Sequence, residues 1–151
     1  MRLEAKKILV PVNGDAISER TFRWAAQTAK ESKAELHAIY VIEVPLDLPL
    51  EAEITEDVNR GEDILTRIEA IASHEKYKNV QAKFVRARDA GPAIVLETQD
   101  RDMDMAIMGI PYRRRFGYCG MGTTAEYIFQ NADCQVILWR DPASVPVLSR
   151  D

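Results

Sequence analysis

Residues Ile8-Leu9-Val10-Pro11-Val12 form an apolar run with no polar residue at alternate positions. A strand with one wet face would alternate, so the run predicts a strand buried on both faces. Such strands belong to parallel sheets with helices packed above and below. Asn13-Gly14-Asp15 closes the run with turn residues. Ser18 with Glu19 then reads as a helix start, and Phe22, Ala25, Ala26 and Ala29 recur at helical spacing as far as Lys30.

The same alternation continues along the chain. Residues 36–44 are an apolar, β-branched run, followed by Pro45 and Pro49, which exclude helix and central strand and predict a loop over 45–53. A long helix is expected over 55–76, with Ile64, Leu65, Ile68, Ile71 and Ala72 on one stripe. Gly61 costs about 1 kcal/mol there relative to Ala, so irregular first turns are expected. Residues 80–85 read as a third strand, Asp89 as an N-cap, and 93–99 as a short helix. A fourth strand at 105–108, a glycine-rich segment to Gly122, a helix over 123–131 and a last strand at 135–139 complete the order. The order β-α-β-α-β-α-β-α-β implies right-handed crossovers and an α/β fold: an open, mostly parallel five-stranded sheet with helices on both faces, doubly wound and Rossmann-like. Ligands of such sheets sit beyond the carboxyl ends of the strands, where the strand order reverses, which directs attention to the loops after Val12, Val41 and Met108.

Length and charge bound the function. The 151 residues suit one domain, with a core over 6–140 and a loose tail at 141–151. A formal charge of -4 argues against nucleic acid as a partner, because counterion release needs a broad basic surface, so any anion site is local. No apolar run approaches the ~20 residues of a membrane span, and the apolar stretch after Lys7 is too short for a signal-peptide core. The expectation is a cytoplasmic protein with no membrane insertion. Cys119 and Cys134 make no disulfide framework and no Cys/His cluster, so no structural metal is expected. Cys119, beside an arginine run, is read as an ordinary loop thiol rather than an activated one.

The sharpest local signal lies late in the chain. Four of the seven glycines, Gly109, Gly117, Gly120 and Gly122, fall within fourteen residues between a predicted strand and a predicted helix. Glycine permits close backbone approach and a helix N-terminus offers free N–H groups, so this arrangement suits a phosphate, with Thr123 and Thr124 adding hydroxyl donors. The other reading is a plain loop capped by Thr123. No Walker A lysine precedes Thr123, and Gly120-Met121-Gly122-Thr123-Thr124-Ala125 follows a long loop rather than a first strand, which disfavours a Rossmann dehydrogenase. Arg113-Arg114-Arg115 is a candidate phosphate clamp. Its alternative is a basic turn that pairs with the acidic stretch Glu35, Glu43, Asp47, Glu51, Glu53, Glu56 and Asp57. Tyr112, Phe116 and Tyr118 could stack on a base or on arginine, although Phe116 serves equally as a loop anchor.

Lys7-Ile8-Leu9-Val10-Pro11-Val12-Asn13-Gly14, the segment from Asp104 to Gly109 and the closing loop, helix and strand together resemble the universal stress protein family. The nucleotide-binding branch of that family carries G-x2-G-x9-G-(S/T). Gly109, Gly122 and Thr123 match the pattern, and Tyr112 stands at its second glycine. Asn13 stands where that branch has an Asp contacting adenosine, which keeps hydrogen bonding but loses charge. The resemblance implies the adenine-nucleotide-binding fold of that family and a regulatory module for an adenine nucleotide, ATP or AMP. Pro11, Val12, Asn13 and Val41 would lie on the adenosine side. Met108, Gly109, Gly120, Gly122, Thr123 and Thr124 would approach adenine and phosphates, and Arg113 is this chain's own addition. It also implies a homodimer through the last strand, where Val136-Ile137-Leu138-Trp139 is an apolar edge. The alternative is a module that binds no nucleotide and acts through protein contact, similar to stress-protein domains fused to membrane transporters. Catalysis has little support. His37 and His74 show no motif-level nucleophile or carboxylate partner, GxSxG and HExxH are absent, and slow ATP hydrolysis at Thr123 or Thr124 would lack a general base.

Overall fold

The computed structural model describes residues 4–111, 114–115, 118–119, 122–140 and 142, with backbone alone at 114–115 and 118–119. Its elements are β1 (Lys7–Pro11), α1 (Ala16–Ser32), β2 (Glu35–Glu43), α2 (Thr55–His74), β3 (Val80–Ala87), α3 (Ala90–Asp100), β4 (Met105–Ile110), β5 (Arg114–Arg115), β6 (Tyr118–Cys119), α4 (Thr123–Asn131) and β7 (Gln135–Arg140). Five strands form one sheet in the order β3-β2-β1-β4-β7, with every pairing parallel. The expected doubly wound α/β fold is the one observed.

β1 lies at the centre because it is apolar on both faces. Ile8, Leu9 and Val10 are all fully buried, and each contributes about 1.5–3 kcal/mol by burial. Period-two alternation then sends Ile8 and Val10 to a core shared with Phe22 and Ala26 of α1 and Ile64 and Ile68 of α2. Leu9 faces a second core made with Ile94 and Val95 of α3 and Ile128 of α4. After β1 the chain builds outward through β2 to β3, and α3 then carries it back so that β4 pairs with the other side of β1. The order therefore reverses between β1 and β4, and their carboxyl ends diverge into a crevice.

Several boundaries differ from the sequence expectations, each for a local reason. α1 starts at Ala16, not Ser18, because Asp15 is the N-cap and its carboxylate accepts from the Ser18 N–H at 2.9 Å. α1 runs on to Ser32 and ends at Lys33, whose left-handed φ of 57° closes the helix. α3 begins at Ala90 rather than 93. Gly91 and Pro92 occupy its first turn, where proline's missing N–H leaves no bond unmade. Asp89 does stand at its N-cap, without a side-chain capping bond. α2 is regular through Gly61, contrary to the irregular first turns expected. A Cβ at Gly61 would sit 3.0 Å from the Phe84 ring, so the glycine serves close packing of α2 on β3. α2 stops at His74, short of residue 76. β3, β4 and β7 each extend past their expected ends, to Ala87, Ile110 and Arg140. The stretch read as a glycine-rich loop contains β5 and β6, paired antiparallel with Arg114 opposite Cys119.

Candidate functional site

A cavity of about 660 Å³ occupies the crevice. Its floor is the end of β1 with Pro11 and Val12, the end of β2 with Val41, and Met108 and Gly109 of β4. Ala90 and Ile94 of α3 and Asp57 and Arg60 of α2 close its sides, and Gly122, Thr123 and Thr124 at the start of α4 form the opposite rim. Of the residues nominated from sequence, Pro11, Val12, Asn13, Val41, Met108, Gly109, Gly122, Thr123 and Thr124 all line this one space. Arg113 and Gly120 lie outside the described residues, as do Tyr112, Phe116 and Gly117.

The two described glycines of the late motif do different work. Gly122 has φ +86°, is the N-cap of α4 with no side-chain capping bond, and among the described residues has no atom within 4 Å of where a Cβ would stand. Thr123 is the first helical residue and so does not cap the helix, as the plain-loop reading supposed. It and Thr124 are exposed at the rim. Among the described residues no side chain caps the α4 N-terminus, whose first backbone N–H groups border the cavity. At Gly109, by contrast, a Cβ would lie 2.2 Å from Thr21 Oγ1 and 3.0 Å from the Ile17 carbonyl oxygen. The missing side chain lets α1 seat against β4, so sequence reasoning assigned this glycine's need to a phosphate when α1 supplies one.

The β1 turn is held from several directions. Asn13 Oδ1 accepts from the Asp15 N–H at 3.0 Å, the Asn13 N–H donates to Ser18 Oγ at 3.4 Å, and Ser18 Oγ donates to the Asp15 carbonyl at 3.0 Å. Arg60 Nη2 reaches the Asn13 carbonyl and Arg67 Nη2 the Gly14 carbonyl, each at 3.5 Å, the outer limit of a hydrogen bond. On the far side Glu43 accepts from the Ala90 N–H at 3.0 Å. Arg88 Nη1 donates to the carbonyls of Val44, Pro45 and Leu48 at 3.3, 2.6 and 2.8 Å, fixing the loop between β2 and α2 that borders the site. The described ionic lining is Asp15, Glu43 and Asp57 against Arg60, a combination missed in the sequence because α2 supplies two of its members.

Both histidines do have carboxylate partners, contrary to the sequence reading. His37 Nε2 lies 2.6 Å from Glu35 Oε1, and His74 Nδ1 lies 3.5 Å from Glu75 Oε2. The first pair sits on β2 two residues before Ile39, where the cavity lining on that strand begins, ~7 Å away at ordinary strand rise, and neither Glu35 nor His37 lines the cavity. Among the described residues no group of three metal-ligating side chains comes together. Burial pushes the Cys134 thiol up, with Asp133 and Asp104 adding, so this thiol is not an activated nucleophile. The Cys119 side chain lies outside the described residues.

A parallel sheet with its cleft at the reversal of strand order defines an α/β protein of the doubly wound class. Within that class, the sequence pattern of the Universal stress protein family matches residues 4–140, and the chain belongs to that family. A universal stress protein of Methanocaldococcus jannaschii is 27% identical over 143 residues, covering 91% of this chain and 83% of that one. Among solved structures, the universal stress protein from Archaeoglobus fulgidus in complex with dAMP superposes with a TM-score of 0.70 at 19% identity, covering 87% of this chain and 95% of that one. A universal stress protein family protein from Arabidopsis thaliana with AMP bound gives 0.65 at 17% identity, covering 91% and 93%. At such identities these two likenesses speak for the fold.

Proposed function

We propose that the chain is a regulatory module that binds an adenine nucleotide, ATP or AMP, in the crevice between β1 and β4, and that it works as a homodimer paired through β7. The observation that carries the first part is convergence. Nine residues nominated from separate parts of the sequence line one cavity of about 660 Å³, a size suited to a small ligand. That cavity opens onto an α4 N-terminus that, among the described residues, has no side-chain cap. Pro11, Val12, Asn13 and Val41 would hold the adenosine, and Gly122, Thr123 and Thr124 the phosphates. Arg113 and Gly120 would add to the phosphate side. Related proteins were crystallised with dAMP, AMP and cAMP, which makes adenine the first base to try.

The second part rests on β7. It is an edge strand of the described sheet, and its residues from Val136 to Trp139 are half-exposed although Val136 and Leu138 pack on one core and Ile137 on the other, so its outer edge is open to a further strand among the described residues. Mass spectrometry of small molecules released from the purified, denatured protein tests the nucleotide reading without a choice of ligand. A copurified adenine nucleotide is expected. A protein that arrives empty and binds none on addition would favour the reading as a protein-contact module.

A further inference from the structure

Two arginines of α2, Arg60 and Arg67, stand about two turns apart and so share one face of the helix. Both reach the turn that follows β1, Arg60 at the Asn13 carbonyl and Arg67 at the Gly14 carbonyl. Arg67 also has a carboxylate, with its Nε 3.2 Å from Glu19 Oε2. Arg60 has none within 4 Å among the described residues, although Glu56 and Asp57 precede it by one turn, the spacing at which helical ion pairs form. Its side chain crosses the mouth of the cavity instead, exposed and held by one bond at the outer limit of 3.5 Å. Gly61, the next residue, seats α2 against Phe84 of β3 and so brings Arg60 to the crevice.

The acidic groups of the described lining are differently placed. Asp15 accepts from the Ser18 N–H and Glu43 from the Ala90 N–H. Asp57 stands in the first turn of α2, where its charge meets the positive end of its own helix. The cationic donors left unused are those of the Arg60 guanidinium. We infer that Arg60 is a specificity-determining residue for the phosphate of the bound nucleotide, donating to its oxygens from the α2 side of the crevice, across from the α4 N-terminus. The planar guanidinium matches two phosphate oxygens at once, and giving up the long bond to the Asn13 carbonyl costs little. Arg60 thus selects a phosphorylated ligand over the bare nucleoside. This inference rests on the nucleotide reading and adds a contact from a helix outside the glycine motif.

Calorimetric titration with ATP and with adenosine, on the unaltered protein, Arg60→Gln and Arg60→Lys, tests it. Arg60→Gln should weaken ATP about tenfold or more and adenosine by less than about twofold. Arg60→Lys should fall between, because it keeps the charge and loses the paired donors. Added salt should weaken ATP binding more steeply in the unaltered protein than in Arg60→Gln, since an exposed charge pair is screened. ATP bound by Arg60→Gln as tightly as by the unaltered protein, or adenosine weakened as much as ATP, overturns the inference and leaves the nucleotide reading standing. Absence of binding of both ligands to the unaltered protein removes the nucleotide reading and the inference with it, so the two failures are distinct. Equal thermal midpoints without ligand check that the fold is unchanged, as the exposure of Arg60 and its single long bond predict.

Discussion

Gly109 shows how one residue can serve packing at a place that looks chemical. Its absent side chain faces Thr21 and Ile17 of α1, and a methyl group there would have to displace an oxygen at 2.2 Å and a backbone carbonyl at 3.0 Å. Gly109→Ala is therefore expected to lower stability by about 3 kcal/mol, measured as a shift of the urea midpoint. Thr21→Ala in the same chain should recover part of that loss, because it removes the nearer oxygen while the Ile17 carbonyl stays. Additive effects of the two substitutions would show that α1 is not the obstacle. From the sequence Gly109 was indistinguishable from a phosphate-loop glycine, since the residue that needs its space is 88 positions earlier in the chain. Cys134 carries a second residue-scale prediction. With its thiol pushed up by burial, it should react with iodoacetamide much more slowly in the folded protein than in urea at the same pH.

At the scale of elements, periodicity located all five strands of the sheet and all four helices, and what it blurred were ends. Ends are set by single bonds: Asp15 to the Ser18 N–H at α1, the left-handed Lys33 after it, and proline's tolerance in the first turn of α3. The tie between α1 and α2 was not legible at all, because it joins residues about fifty positions apart. Arg23 Nη1 lies 2.7 Å from Glu75 Oε2, and Gln27 and His74 also bond that carboxylate. The Arg23 hydrogen bond, against some cost of burial, holds the Glu75 carboxyl below its ordinary 4.5. A lowered folded value means that its contribution is present above the unfolded value and is lost as pH falls through the folded one. Arg23→Gln should accordingly lower the thermal midpoint at neutral pH, and the difference from the unaltered protein should close as pH falls through the lowered folded value of the Glu75 carboxyl. A gap that persists to the acid end would show that Arg23 acts through packing. The loop between β2 and α2 depends on Arg88 in the same way, and Arg88→Ala should raise amide exchange across residues 44–54, where three carbonyls lose their donor.

For the whole molecule, the sheet order explains why the candidate site was largely legible before the fold was known. Residues at strand ends and helix starts announce themselves by turn chemistry, and the reversal between β1 and β4 gathers them at one crevice. Asp57 and Arg60 did not announce themselves, because the approach of α2 to that crevice depends on packing across β2 and β3. The outer edge of the same sheet supplies the dimer prediction. Sedimentation velocity should show a dimer, and Leu138→Lys on β7 should give a folded monomer; a dimer unchanged by that substitution would place the interface elsewhere. The central claim is that the crevice holds an adenine nucleotide at the α4 N-terminus. Its most direct test is calorimetric titration with ATP, AMP and cyclic AMP of the unaltered chain and of Gly122→Asp, which sets a carboxylate at the rim where phosphate would lie. The account predicts one-site binding of at least one of the three and its loss in the variant at an intact fold. Absence of heat with all three, or binding that Gly122→Asp leaves unchanged, would contradict it.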